Sequence, residues 1–138
     1  MQPPLRNPAL YCESGSSAFP QAPALRGIEC RCGYRAFPPQ RLGCEACGAH
    51  GESLHETLLS GRGRLLACAR VHRHNAPWPP VPFTVVEVQL DDGPVVRGLL
   101  AHDCPGDLEP GTRMVTVLET VQIDGTPLRD LRLQPQGN

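Results

Sequence analysis

Between residues 82 and 90 the chain alternates, with Val86, Val88 and Leu90 set against Glu87 and Gln89. A period of two places successive side chains on opposite faces of an extended backbone, so this stretch predicts a half-buried strand. The segments 64–74, 95–102 and 113–123 read as strands in the same way. Asp91-Asp92-Gly93 predicts a tight hairpin between two of them, because Asp and Gly accept the positive φ such turns require. Leu108-Glu109-Pro110-Gly111 predicts a second turn. Residues 76–82 hold four prolines, which fix φ and cannot donate to a ladder, so a stiff loop is expected there. Five or so short strands over residues 61–133 predict a small barrel, followed by a tail at 134–138. The connector 51–60 suits either a strand or one helical turn. Residues 1–25 carry five prolines and a Gly15-Ser16-Ser17 run with no sustained period. They predict an extended arm that orders on a partner.

Composition narrows the chemistry. All 13 basic residues are arginines, which removes Schiff-base lysines, phosphate-loop lysines and lysine general bases. A formal net charge of −1 and only 4% aromatics argue against the global attraction that non-specific nucleic-acid binders use. The 14 glycines and 16 prolines suit a turn-rich, all-β fold. Seven cysteines could form a secreted disulfide framework, but their number is odd and the N-terminus opens no apolar signal region. A cytoplasmic protein with reduced thiols and no membrane span is expected.

Four of those cysteines cluster between residues 30 and 47. Cys30-Arg31-Cys32-Gly33 and Cys44-Glu45-Ala46-Cys47-Gly48 form a pseudo-repeat. Zinc takes four ligands in a tetrahedron, a short Cys turn delivers two thiolates, and the following Gly lets the backbone turn beneath them. The segment 26–50 therefore predicts a metal-held module with one structural zinc on Cys30, Cys32, Cys44 and Cys47. The first pair is one residue short, which leaves Cys12, His50 and His55 as alternatives for one of its places. Four reduced or disulfide-paired cysteines without a metal are the other reading. Four thiolates would leave no open position for catalysis.

Taken together, Cys32-Gly33, Phe37-Pro38-Pro39, Cys44-x-x-Cys47-Gly48, Ser60-Gly61-Arg62-Gly63, Pro82-Phe83, Asp92-Gly93 and Pro110-Gly111 resemble the thiolase-associated family catalogued as domain of unknown function thirty-five. The resemblance spans about residues 25–133. It implies a rubredoxin-like zinc ribbon followed by a five-stranded OB-fold barrel. It also implies a non-catalytic accessory subunit that stabilises a thiolase-like partner, whether thiolase, retro-aldolase or acyltransferase. Some members share in holding a CoA thioester at the common interface. No nucleophile elbow, phosphate loop or placed carboxylate pair contradicts that role.

Within this frame Arg62 and Arg64 are candidates for the CoA phosphates, against a plainer reading as exposed arginines on a turn entering the first barrel strand. Trp78 and Phe83, flanking the proline loop, are candidates to anchor the partner, against a reading as a lid over the barrel. His72 and His74 lie two apart on the predicted strand and would share one face. Cys68 and Cys104 read as small buried hydrophobes. The competing functional classes are a single-strand nucleic-acid-binding module and a self-sufficient enzyme using Cys68, His72 or His74.

Overall fold

The computed structural model describes residues 2–137. Among these residues nine strands carry the fold: β1 Tyr11–Cys12, β2 Ala24–Cys30, β3 Arg35–Ala36, β4 Leu54–Leu59, β5 Arg62–Val71, β6 Phe83–Leu90, β7 Val95–Leu100, β8 Arg113–Ile123 and β9 Thr126–Pro135. One 3-10 turn, Gly51–Ser53, leads into β4, so the connector supplies both a turn and a strand. Among the described residues no helix is long and apolar enough to cross a membrane.

β2 is the spine of the ribbon. β4 pairs antiparallel along its whole length from Leu25 to Cys30, while β1 and β3 share the other edge in turn. The small ribbon core is Ile28, Leu54, Cys30 and Cys44, all buried, and two of these four are themselves candidate metal ligands. Two aliphatic side chains at about 1.5–3 kcal/mol each give the knuckle end of the ribbon little apolar burial of its own, while its other end is held through Leu25 and Leu59 in the barrel core.

β5 to β9 close a barrel in the order β5-β6-β7-β9-β8. Along β6 the side chains of Thr84, Val86, Val88 and Leu90 are buried alternately, as the sequence period requires. They meet Leu65, Val96, Leu100, Met114 and Leu133, and the ribbon contributes Leu25 and Leu59 to the same cluster. A bulge between Leu65 and Ala67 bends β5 as it follows the barrel wall. Closure comes from a short parallel contact, Leu99 to Arg132 and Leu100 to Leu133.

Three sequence expectations change. β9 lies where the sequence shows no strand period: Pro127, Arg129, Asp130, Arg132 and Pro135 break its alternation, although Asp124-Gly125 turns the chain between β8 and β9, with φ of 52° and 78°. His72 and His74 lie beyond the end of β5, because the chain leaves the ladder after Val71. The proline-rich arm is also laid on the protein itself rather than left for a partner. Leu5 bridges Arg129 in parallel on the edge of β9 that β7 leaves uncovered. The Arg129 amide donates to the Pro4 carbonyl (2.8 Å), the Arg6 amide donates to the Arg129 carbonyl (2.8 Å), and Arg129 Nε donates to the Pro3 carbonyl (2.7 Å). An unpaired edge is costly to leave open, and the arm fills it.

Candidate functional site

Cys30, Cys32, Cys44 and Cys47 bring their sulfurs within 4.8 Å of one another. Cys30 Sγ lies 3.6 Å from Cys47 Sγ, and Cys32 Sγ lies 3.7 Å from Cys44 Sγ. A tetrahedron with metal–sulfur bonds of about 2.3 Å has edges of about 3.8 Å, so the four thiolates fit one tetrahedral ion. Among the described residues all seven cysteines are free thiols.

The two knuckles reach the same geometry with different loop lengths. In the first, the Gly33 amide donates to the Cys30 carbonyl and the Cys30 amide to the Tyr34 carbonyl, both at 2.8 Å. In the second, the Gly48 amide donates to the Cys44 carbonyl (2.9 Å) and the Cys44 amide to the Ala49 carbonyl (2.8 Å). Each ring is thus one residue smaller in the first knuckle, and the shortened Cys-x-Cys turn still presents both thiols. Gly33 and Gly48 close the turns with φ of 98° and 79°, values an L side chain resists. Tyr34 Oη donates to Glu45 (3.2 Å) and so links the knuckles. Gln40, which the sequence did not mark, ties the intervening loop. Its Nε2 donates to the Gly43 carbonyl (2.7 Å), and its Oε1 accepts the Leu42 amide (2.6 Å).

The alternative ligands fall elsewhere. Cys12 sits on β1 with its thiol on the Ser14 carbonyl, His55 faces Glu29 across the β2–β4 ladder at 3.4 Å, and His50 lies outside the cluster. Crowding divides the thiols' acidity. Burial raises the Cys44 thiol, but the amides of Cys47 and Ala46 and the thiols of Cys32 and Cys30 bring it down to about 7. A backbone hydrogen bond at Tyr34 lowers Cys32, but desolvation and the three neighbouring thiols push it up to about 12. The group therefore holds protons unevenly and would release them to a metal.

The remaining candidates lie on the barrel and are not gathered into one site. Arg62 is committed internally: its guanidinium sits 4.4 Å from the Phe19 ring centroid, and its Nε, which makes no hydrogen bond, lies 3.4 Å from Asp91. Arg64 is exposed on β5. Gly61 and Gly63 beside them serve close packing. A Cβ on Gly61 would strike Thr116 and the Pro23 carbonyl, and one on Gly63 would strike the Gln89 carbonyl.

Trp78 is half-buried, with the Arg6 guanidinium 4.4 Å from its ring centroid, so the arm reaches the proline loop. Phe83 meets the His74 ring edge-on at 5.2 Å, and His74 Nε2 lies 3.0 Å from the Trp78 carbonyl. Trp78 and Phe83 line one wall of a cleft of about 730 Å³ beside the barrel. Cys104 lies on that cleft and Cys68 bonds to the Gly106 and Leu108 carbonyls. Both are half-buried, and burial raises the Cys104 thiol.

Residues 56–119 match the family described as ChsH2, C-terminal OB-fold domain. A DUF35 domain-containing scaffold protein of Methanothermobacter thermautotrophicus is 29% identical over 109 residues, covering 78% of this chain and 80% of that protein. A protein of the same description from Pyrococcus furiosus is 26% identical over 115 residues, covering 80% and 82%. A solved structure of an Ltp2-ChsH2(DUF35) aldolase superposes with a TM-score of 0.60 at 22% identity, over 81% of this chain and 84% of that one, a likeness of fold. With its four-thiol ribbon joined to a closed five-stranded barrel, the chain is similar in sequence and in fold to proteins that carry the DUF35 domain.

Proposed function

We propose that this protein is a non-catalytic scaffold subunit of a thiolase-like acyl-CoA enzyme in the cytoplasm, with one structural zinc per chain. The observation that carries the scaffold role is the shared description of the two relatives, each matched over most of its length as a DUF35 domain-containing scaffold protein. The aldolase assembly of the structural neighbour supports an enzyme as the partner. Zinc is favoured over other ions because four thiolates with tetrahedral edges suit a closed structural site. The ion would fix the knuckles and bring no open coordination position.

Arg64, exposed on the first barrel strand, is the better of the two arginines for a CoA phosphate at the shared interface, since Arg62 already faces Asp91 and Phe19. The exposed Val81 beside Trp78 makes the proline loop the proposed partner anchor. Co-expression with a thiolase-like protein encoded beside this chain tests the reading. A stable complex on size exclusion, with acyl-CoA turnover present in the partner and absent from this chain alone, is expected. Two separate peaks, or turnover by this chain alone, would overturn it.

A further inference from the structure

The cleft beside the barrel holds an arginine arranged as a receptor. Arg132 on β9 is 9% exposed and lines the cleft. Its Nε donates to Asp130 Oδ2 at 3.1 Å, and that buried carboxylate also accepts from Tyr11 Oη (3.3 Å) and Arg6 Nη1 (3.5 Å). The two terminal nitrogens of Arg132 have no hydrogen-bond acceptor among the described residues, yet neither is a sealed, unsatisfied atom. The fork therefore meets solvent, and it does so at the cleft wall. Its guanidinium carbon lies 5.8 Å from the Trp78 ring centroid. A planar fork fixed through Nε and free at both Nη atoms has the geometry that receives a carboxylate in two parallel hydrogen bonds.

The rest of the cleft limits what can bring that anion. Trp78, Val81, Phe83, Leu100 and Val121 give it apolar walls, and its volume lies within the range of organic-ligand sites. Arg70 adds a second cation, held by an Nη1 hydrogen bond to Thr84 Oγ1 at 3.3 Å. Glu119 subtracts one, with its carboxylate on the His102 amide at 3.0 Å. Asp130 partly neutralises Arg132 from behind. With Arg132 and Arg70 set against Asp130, Glu119 and the exposed Asp103, the cleft carries no excess positive charge, which disfavours a phosphate dianion more than a monoanion.

We infer that the cleft binds a small organic monocarboxylate, its carboxylate on the Arg132 fork and its apolar body against Trp78 and Phe83. This stands apart from the partner-scaffold reading, and a protein that scaffolds nothing could still show it.

Trp78 is the sole tryptophan, so its emission reports on the cleft directly. The purified full chain is titrated with hexanoate, hexanamide and inorganic phosphate, following Trp78 emission and heat of binding in parallel. Saturable binding of hexanoate is expected, with hexanamide and phosphate each about tenfold weaker or more, the size of one lost charge-assisted contact or of the lost apolar body. The paired variant Asp130→Asn/Arg132→Met, which removes charge and counter-charge together, should weaken hexanoate by a similar factor. Hexanamide binding as well as hexanoate, phosphate binding as well as hexanoate, or neither emission change nor heat with hexanoate would each overturn the inference. Those three comparisons use the wild-type chain, so they decide it even if the paired variant does not fold.

Discussion

Asp92 closes both carboxylate oxygens on Ser60. Oδ2 accepts the Ser60 amide at 2.9 Å, and Oδ1 accepts the Ser60 hydroxyl at 2.7 Å. Ser60 ends the ribbon and Asp92 sits in the β6–β7 hairpin, so this pair is a weld between the two parts of the chain. Arg35 on β3 adds to it by donating Nη1 to the Asp92 carbonyl at 3.2 Å. Asp92→Ala leaves the buried Ser60 amide and hydroxyl without their acceptor. A loss of about 1–3 kcal/mol is expected, measured as a lower urea midpoint with an unchanged slope. Asp92→Asn should recover part of it, since its amide oxygen can still accept one bond.

The neighbouring carboxylate predicts a pH effect. Asp91 Oδ1 and Oδ2 accept from Arg113 Nη1 (3.0 Å) and Nη2 (2.7 Å), and this hydrogen bonding with the Arg113 charge holds Asp91 below the usual carboxylate range. A depressed pKa contributes stability that is full above the unfolded-state value near 3.9 and is lost as pH falls through the folded value. The pair is more than a third exposed, so screening reduces its worth to about 0.5 kcal/mol. Asp91→Asn should be less stable than wild type at neutral pH and should converge with it in acid. Urea midpoints for both proteins across that range are the measurement.

Metal removal should act on the ribbon first. The ribbon core keeps only Ile28 and Leu54 once its two cysteines lose their ion, whereas the barrel cluster needs no metal. Cys44→Ser should abolish the binding of one zinc per chain by elemental analysis. Amide exchange should then speed up through β2, β3 and β4 while β6 and β8 stay protected. Equal loss of protection in barrel and ribbon would show that the two fold as one unit.

Gly63→Ala tests why the Gly-Arg-Gly segment is glycine-rich. The added methyl would meet the Gln89 carbonyl oxygen and the Leu90 Cα, which are backbone atoms that cannot swing aside. The expected cost is about 1–3 kcal/mol in thermal or urea unfolding. Arg64→Ala, on an exposed side chain, should cost less than about 0.5 kcal/mol and thereby separate packing from any ligand role.

Much of the fold can be read from local pattern. The β6 alternation, the Asp-Asp-Gly hairpin and the Cys knuckles each depend on a few neighbouring residues, so their physics is visible in a short window. β9 gives no clean alternation because both of its faces are covered: Leu131 and Leu133 pack into the barrel core, while Asp130 and Arg132 on the opposite face are buried as a mutually hydrogen-bonded pair beside Tyr11, Arg6 and Trp78. A buried charged pair on the outer face of a barrel strand breaks the apolar-in, polar-out reading that reveals other strands. The pair has no local signature of a site for the same reason, since its role comes from contacts with Tyr11, Arg6 and Trp78, far away in the chain.

Sequence by itself determined which residues turn, which alternate and where the cysteines cluster, because turn chemistry, strand period and ligand spacing are short-range properties. The gathering of Cys30, Cys32, Cys44 and Cys47 without Cys12, His50 or His55 was settled by the fold. Tertiary structure alone decided that the arm lies on β9, that Arg62 is spent on Asp91 and Phe19, and that Arg132 opens into a cleft under Trp78. Those are contacts between residues far apart in the chain. Their partners are chosen by barrel closure, which leaves one edge of β9 for the arm to fill and brings β9 beside the proline loop.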